Sequence, residues 1–302
     1  MAYNQNLLDY HEDLYPSRIG NTPHLFERRD PVFYGQSSDP GPLNQEQIEF
    51  YKKKGYLFFQ DLFSQEEIQR YRDELKILSD TASVKKAPQT ILEPERQEVR
   101  SIFDIHRTNE LFNQLSRDKR VTNIITQLLN SRVYIHQSRI NYKPGFQGKE
   151  FYWHSDFETW HQEDGMPRMR ALSCSITLTE NNFYNGPLML IPQSHWYFLC
   201  CIGKTPKDHY KSSLRKQEYG VPDNESLRKL VDTGGIVAPH GPAGSVIFFE
   251  CNLMHGSNSN ISPWPRSNIF FVYNSIENTL VQPYCGLEPR PEYIASRDFT
   301  PL

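Results

Sequence analysis

The feature that most constrains the fold is a series of short apolar segments in the second half of the chain. Residues Val133 to Tyr142 form the longest of them, and Pro144-Gly145 ends it. Further strands are expected at 150–155, 169–179, 187–191, 195–201, 245–250 and 268–276, with Gly, Pro and Asn in the turns between them. Many short strands with turn signals are typical of β-barrels and sandwiches.

The first half of the chain has helical patterns instead. Asn44 and Gly55 have the residue types of a helix N-cap and a C-terminal stop, and Ser64 with Glu67 forms a capping box that begins a second helix ending near residue 79. A third helix is expected from residue 118 to 129. Residues 80–100 carry mixed charge and two prolines and are predicted to be a loop. The sequence therefore predicts helices packed on one side of the β-structure.

A chain of 302 residues can form one elaborated β domain. We expect a single domain over 1–302, built from the segments that follow. They are an N-terminal arm that is draped over the domain or partly disordered (1–43), a helical support (44–130), a β core (131–276) and a C-terminal tail (277–302). A charged insertion at 203–235 interrupts the core. It is either a solvated insertion or a mobile lid.

Composition excludes several classes of function. The net charge is −3 and no polybasic run occurs, which argues against nucleic acid or an anionic membrane as a partner. No apolar run reaches the length of a membrane span, and the N-terminus does not look like a signal peptide. The five cysteines include no C-x-x-C pair, so neither a disulfide framework nor a zinc site is expected. These observations favour a soluble cytoplasmic protein.

The candidate chemistry centres on His154-Ser155-Asp156. On an extended strand these two ligands would project to the same side, because side chains alternate with period 2. His255, which follows a buried strand, would complete a set of two histidines and one carboxylate. That set suits non-haem Fe(II) and leaves positions open for a cosubstrate and O₂. The short motif alone is weak, since His11-Glu12-Asp13 also fits it.

A carboxylate anchor lies at a suitable distance after His255. Arg266 follows eleven residues later, just before a late strand, and a guanidinium can hold a carboxylate through two hydrogen bonds. The order His154-x-Asp156, His255, Arg266 resembles that of the Fe(II)/2-oxoglutarate dioxygenases. The resemblance implies a double-stranded β-helix (jelly-roll, cupin-like) core, with flanking helices. It also implies that Arg266 binds 2-oxoglutarate, and the carboxylate of Asp156 argues against the related halogenases.

Two longer blocks narrow the resemblance. The segment from Asn185 to His195 is similar to a turn of the phytanoyl-CoA hydroxylase-like branch, although Gln193 stands where that branch usually has glycine. The 17 residues from Phe151 to Pro167 resemble the signature of the ectoine hydroxylases. This resemblance implies that ectoine is the substrate, that 5-hydroxyectoine is the product and that a homodimer is possible.

Further site residues follow from the same resemblance or from their positions near the ligands. Gln137 resembles the substrate-binding glutamine of the family, and Lys143 resembles a residue that assists 2-oxoglutarate binding. A delocalised amidinium such as that of ectoine is well held by aromatic faces. The aromatic candidates are Trp160, Phe249 and Phe270. Each could also be an ordinary core residue.

Two other functions remain open at this point. One is a dioxygenase of the same fold that acts on another small substrate, such as an amino acid or an acyl thioester. The block from Trp153 to Pro167 speaks against it. The other is a non-enzymatic cupin-like metal-binding module, for which Arg266 would have no use.

Overall fold

A computed structural model describes residues 13–36, 39–92, 98–146, 148–214 and 219–302, so His11 and Glu12 lie outside the described residues. The helices are Gln45–Lys54 (α1), Gln65–Asp80 (α2), Ala82–Lys86 (α3), Ile105–Thr108 (α4), Glu110–Ser116 (α5), Lys119–Leu129 (α6), Asp156–Thr159 (α7), Tyr210–Ser213 (α8) and Asn224–Gly234 (α9). A π-helical turn, Trp160–Asp164, continues α7, and Ser194–Trp196 is a 3₁₀ turn. The strands are His24–Glu27 (β1), Tyr56–Phe59 (β2), Thr90–Leu92 (β3), Val99–Phe103 (β4), Val133–Lys143 (β5), Phe151–His154 (β6), Ala171–Thr177 (β7), Leu188–Leu190 (β8), Tyr197–Cys200 (β9), Val246–Glu250 (β10), His255–Ser257 (β11) and Arg266–Ser275 (β12).

Two antiparallel sheets form the centre of the protein. The larger has seven strands in the order β2-β10-β7-β12-β5-β4-β3, and the smaller has the order β6-β11-β8. Leu188 and Leu190 of the small sheet pack against Phe249 and Phe270 of the large one. The expected double-stranded β-helix with flanking helices is confirmed.

The large sheet separates the apolar core from a polar interior. Because side chains alternate along each strand, one face of β7, β10 and β12 joins the helices in the main core cluster. The members of this core cluster that come from β7, β10 and β12 are Leu172, Cys174, Ile176, Val246, Phe248, Ile269, Phe271 and Tyr273. The opposite face carries Arg139, Asn141 and Lys143 at every second position of β5, and Arg266, Asn268 and the apolar Phe270 on β12. This second face points towards the small sheet.

The predicted caps of the first two helices are confirmed. Asn44 and Gln47 form a reciprocal capping box for α1, as Ser64 and Glu67 do for α2. Gly55 ends α1 with φ 80°, and a Cβ there would lie 2.5 Å from the His195 ring. Both the backbone angle and the close approach therefore require glycine at this position.

The prediction of a loop at 80–100 was wrong. The segment contains α3, β3 and the start of β4, while residues 93–97 lie outside the described part of the chain. β3 and β4 extend the large sheet beyond β5. Val99 and Ile102 are buried in the core. They are three residues apart, and the pairing of β3 with β4 contains a register shift, so these strands lack a regular alternation in the sequence.

Three segments outside the sheets pack against the core. In the N-terminal arm, β1 pairs with β9. The described part of the arm therefore lies against the domain, which was one of the two alternatives expected. In the tail, the Leu302 amide donates to the carbonyl of Val133. The insertion contributes α8 and α9, and its mobility stays a prediction. Within the described ranges, no helix is long and apolar enough to cross a membrane.

The turn between β8 and β9 is strained at Gln193, where the related branch usually has glycine. Gln193 has φ 72° and ψ −11°, which is the left-handed region that disfavours residues with a Cβ. Among the described residues, its side chain makes one long hydrogen bond, to the carbonyl of Thr233 at 3.4 Å. Little therefore compensates for the strained backbone.

We expect Gln193→Gly to stabilise the protein by about 1 kcal/mol, because glycine removes the Cβ clash of the left-handed conformation. A gain of that size corresponds to a rise of about 2 °C in the melting temperature of a chain this long. Gln193→Ala is the control, because it removes the same side chain and keeps the Cβ. If the glycine variant melts no higher than the alanine variant, the backbone is not strained at this position.

Candidate metal centre and its cavity

Three ligand-type side chains meet where the small sheet ends. His154 is the last residue of β6 and His255 the first of β11, and the two are directly paired across the sheet. Asp156 completes the group, with its carboxylate oxygens 3.6 Å from His154 Nε2 and 3.7 Å from His255 Nε2. All three ligand atoms lie within 4.8 Å of one another, and the residues are buried. This spacing suits one shared metal ion.

The sequence pattern predicted that Asp156 lies on the same strand as His154, and this prediction is wrong. Ser155 is still extended, but Asp156 begins α7. The turn is supported by a hydrogen bond from the Phe157 amide to the carbonyl of Cys251. The carboxylate therefore reaches His154 around a strand-to-helix turn. Alternation along an extended strand is not what brings the two ligands together.

The protonation of the site suits a metal ion. His154 Nδ1 lies 2.8 Å from the carbonyl of Tyr152, and His255 Nδ1 lies 2.9 Å from that of Leu253. A proton on each Nδ1 leaves both Nε2 lone pairs facing Asp156, which is the usual arrangement of metal-binding histidines.

The electrostatics of the three side chains agree with this arrangement. Burial and the neighbouring His154 lower the pKa of His255 to about 4, so its imidazole is neutral near pH 7. Burial opposes ionisation of Asp156, but the histidines in their protonated form and the charge of Arg139 hold the pKa of this carboxyl below the usual range. Two neutral imidazoles and one carboxylate fit Fe(II) and leave positions open for other ligands.

A cavity of about 870 Å³, measured to its open mouth, contains both histidines. Both sheets contribute to its walls. Besides His154 and His255, the lining residues are Arg100, Ser101, Phe103, Arg139, Asn141, Tyr142, Lys143, Gly148, Lys149, Phe151, Leu188, Leu214, Gly256, Ser257, Arg266, Asn268 and Phe270. The lining contains five basic side chains and no carboxylate, so it favours anionic ligands.

Arg266 is a buried cation that faces this cavity without an acidic partner among the described residues. Its side chain makes a hydrogen bond to Asn268 Oδ1 at 3.0 Å, while its Nε has no partner in the described structure. Burial lowers the pKa of Arg266 to about 10. Buried charges are normally paired, so this guanidinium is suited to a carboxylate that comes from a ligand.

Lys143 lies directly opposite Arg266 in the pairing of β5 with β12. Its Nζ donates to Ser257 Oγ at 2.8 Å and to the carbonyl of Asn258 at 2.6 Å. Burial and the nearby Arg266 and Arg100 lower the pKa of Lys143 to about 6. An anion between the two side chains would restore the charge on the lysine.

Arg139 is a second buried guanidinium that the sequence reasoning missed. It lines the cavity with its charged group 5.0 Å from the ring centre of Phe270, and it donates to Gln137 Oε1 at 3.0 Å. Its Nε has no partner within the described residues. Arg139 and Asn141 lie at alternate positions between Gln137 and Lys143, so strand periodicity could have identified both.

The other predicted aromatic and polar residues have different positions. Phe270 lines the cavity, but Gln137, Trp160 and Phe249 are not among its lining residues. Phe249 packs against the ring of His255 with 5.0 Å between ring centres, and Trp160 packs against His136 at 5.3 Å. Gln137 donates to the carbonyl of Ile294 at 2.8 Å and orients Arg139. These three residues therefore lie outside the cavity lining.

Buried ion pairs hold the helix that carries Asp156. Glu158 and Glu163 bind Arg18 of the arm, at 2.8 and 2.6 Å. Glu163 also contacts His209 of the insertion, and Asp164 accepts two hydrogen bonds from Arg290 of the tail. All three segments outside the sheets therefore converge on α7 and its π-helical turn.

Comparison with known proteins decides the family. The sequence model of the phytanoyl-CoA dioxygenase (PhyH) family matches residues 51–268. The ectoine dioxygenase of Bordetella bronchiseptica is 54% identical over 286 residues, covering 95% of this chain and 93% of that protein. The ectoine dioxygenase of Stutzerimonas stutzeri is 51% identical over 291 residues, covering 96% of each. The chain belongs to the ectoine dioxygenases of the phytanoyl-CoA dioxygenase family.

Solved structures agree with this membership. An ectoine dioxygenase, EctD from S. alaskensis, was solved with 2-oxoglutarate and 5-hydroxyectoine and matches with a TM-score of 0.86 and 46% identity, over 95% of each chain. The same protein with bound Fe matches with a TM-score of 0.85. The carbocyclase SnoK, at 19% identity and a TM-score of 0.58, shares only the fold.

Proposed function

We propose that this chain hydroxylates ectoine to 5-hydroxyectoine with Fe(II), 2-oxoglutarate and O₂, and releases succinate and CO₂. One observation carries the proposal. A single cavity is lined by His154, His255 and a buried arginine that has no acidic partner in the described structure, and the ligand atom of Asp156 lies within 4.8 Å of those of both histidines. The full-length similarity to ectoine dioxygenases supports the choice of substrate.

Fe(II) would be held by Nε2 of His154, Nε2 of His255 and the carboxylate of Asp156. When bound, iron supplies the oxidative chemistry that couples decarboxylation of 2-oxoglutarate by O₂ to hydroxylation of the substrate. The protein residues bind and orient the two organic molecules and keep water out. No general acid or base is assigned, because the reaction needs none from the protein.

2-Oxoglutarate would enter with its remote carboxylate on Arg266 and Lys143. The two side chains face each other across neighbouring strands, and Arg266 has no acidic partner in the described residues. A planar guanidinium can bind a carboxylate through two parallel hydrogen bonds. The same contact would relieve the cost of burying an unpaired charge.

Ectoine would occupy the part of the cavity near Phe270 and Arg139. Its amidinium is a delocalised cation that an aromatic ring can bind, and its carboxylate would match the second guanidinium. We also propose that Gln137, Trp160 and Phe249 support this region from behind the wall. Gln137 would orient Arg139, while Phe249 would fix the ring of His255.

Three wider assignments are also proposals. We infer a cytoplasmic location because Cys174, Cys200, Cys201, Cys251 and Cys285 are all free, as expected in a reducing compartment. A homodimer is inferred from the family resemblance alone. We further propose that the chain is one dioxygenase domain with the segments given above, its insertion at 203–235 acting as part of that domain.

The direct test is reconstitution without oxygen with Fe(II), 2-oxoglutarate and ectoine, followed by admission of O₂. Mass spectrometry should detect one added oxygen on ectoine for each succinate released. Succinate without modified ectoine would retain the dioxygenase and reject the substrate. Bound iron without any succinate would favour a metal-binding module instead.

In the same assay, Asp156→Ala should abolish hydroxylation, because the variant loses one of three metal ligands. Glu277→Ala is a matched control, since that carboxylate is exposed and pairs with Arg170 away from the cavity. Iron-dependent turnover by the Asp156 variant would contradict the proposed ligand set.

The lowered pKa of Lys143 predicts proton uptake when 2-oxoglutarate binds. With a pKa of about 6, the lysine is neutral at pH 7.5 in the free site, and a bound carboxylate would make it charged. The affinity for 2-oxoglutarate should therefore fall as the pH rises above about 6, by up to about tenfold per pH unit. Calorimetry at pH 7.5 in two buffers of different ionisation enthalpy measures the uptake.

Lys143→Met should bind 2-oxoglutarate more weakly and lose the dependence on buffer. Lys149→Met is the control, because Lys149 also lines the cavity but is exposed. A wild-type enthalpy that is the same in both buffers would show that Lys143 does not gain a proton on binding.

A further inference from the structure

We infer that Ser155 and Asn252 are positioning residues of the metal centre, and that the hydrogen bond between them fixes the distance between its two ligand-bearing segments. This inference rests on the proposed function, because it assumes that His154, Asp156 and His255 bind a metal ion. Neither residue is among those that line the cavity.

The bond joins the two places in the chain from which the ligands come. Ser155 stands between His154 and Asp156, and Asn252 lies three residues before His255. Ser155 Oγ donates to Asn252 Oδ1 at 2.9 Å, and both residues are buried. The contact spans 97 residues of sequence, so its effect is on tertiary rather than local structure.

Ser155 makes this bond in place of the one that its position normally favours. It is the N-cap of α7, where a serine side chain usually accepts a hydrogen bond from a backbone amide of the first turn. No such capping bond is present, and the Phe157 amide is bound instead by the carbonyl of Cys251. Side chain and backbone of this turn are therefore both directed to residues 251–252.

Asn252 is held in one orientation by a full set of partners. Its amide nitrogen Nδ2 donates to the carbonyl of Tyr197 at 2.9 Å and, more weakly, to that of His195 at 3.3 Å. Its backbone amide donates to Glu250 Oε2 at 2.7 Å. The amide of Asn252 thus supplies two donors on one side and an acceptor for Ser155 on the other.

The network continues into the N-terminal arm. Glu250 is buried, and its other carboxylate oxygen lies 3.0 Å from Arg28. Arg28 donates in turn to the carbonyls of Asp30 and His195. The arm thus supports a carboxylate that fixes Asn252, which in turn fixes Ser155 between two metal ligands. Residues that orient ligands in this indirect way commonly change metal affinity by about 10- to 100-fold when they are replaced.

The test measures Co(II) binding to the metal-free protein without 2-oxoglutarate or substrate. Ser155→Ala and Asn252→Ala should each weaken Co(II) binding by about 10- to 100-fold and alter the visible spectrum of the bound ion. If both substitutions act by breaking the Ser155–Asn252 hydrogen bond, the double variant should bind Co(II) only slightly more weakly than the weaker-binding single variant. Circular dichroism of the metal-free proteins checks that the fold is kept.

Ser275→Ala is the matched control, because Ser275 is also buried and its hydroxyl bonds to Ser131 and to the Glu277 amide at the far end of β12. It should bind Co(II) as the wild type does. Ser155→Thr and Ser155→Val compare side chains of nearly the same shape, of which only threonine keeps the hydroxyl. Only the threonine variant should retain tight Co(II) binding. If Ser155→Ala does not fold, the comparison of Ser155→Thr with Ser155→Val tests the positioning role of Ser155 in its place.

Three outcomes would overturn the inference. One is that Ser155→Ala binds Co(II) within threefold of the wild type, and another is that Ser275→Ala weakens binding to the same extent. The third is equal affinity of the threonine and valine variants. If the wild-type protein itself binds no Co(II), the proposed metal centre is wrong as well, which separates that failure from a failure of the positioning bond.

Discussion

The antiparallel pairing of β6 with β11 places His154 directly opposite His255, and the candidate metal centre depends on that register. A slip of one residue would turn one imidazole to the other face of the sheet. Asp156 then joins the pair from the first turn of α7. The polypeptide turn at Ser155 is itself held by contacts with residues 251–252, which precede β11. The candidate metal ligands are thus arranged by a strand register and by the turn that follows β6.

The large sheet supplies the complementary half of the site. Its outer face is apolar and packs on the helices, so it stabilises the fold. Its inner face carries Arg139, Lys143 and Arg266 into a cavity without a lining carboxylate. Such cations are costly to bury unless they are paired. We propose that anionic ligands complete the charge balance here, so that stability is sacrificed for binding.

Much of the fold and part of the site could be predicted from the sequence, because the signals are local. The capping boxes at Asn44 and Ser64 and the long alternation of β5 specify their elements almost alone. β3 and β4 were missed because they are strands only by virtue of pairing, β4 with β5 and β3 with β4. The helical start at Asp156 and the place of Trp160 outside the cavity lining likewise depend on tertiary contacts that no spacing reveals. Arg139 was within reach of the periodicity argument but was not singled out.

The most direct test is a crystal structure grown without oxygen and containing Fe(II) and 2-oxoglutarate, with the metal located by anomalous scattering. The account predicts one strong iron peak between the two Nε2 atoms and the carboxylate of Asp156. It also predicts the remote carboxylate of 2-oxoglutarate between Arg266 and Lys143. An iron peak elsewhere, or a ligand whose remote carboxylate points away from Arg266, would contradict the assignment of the site.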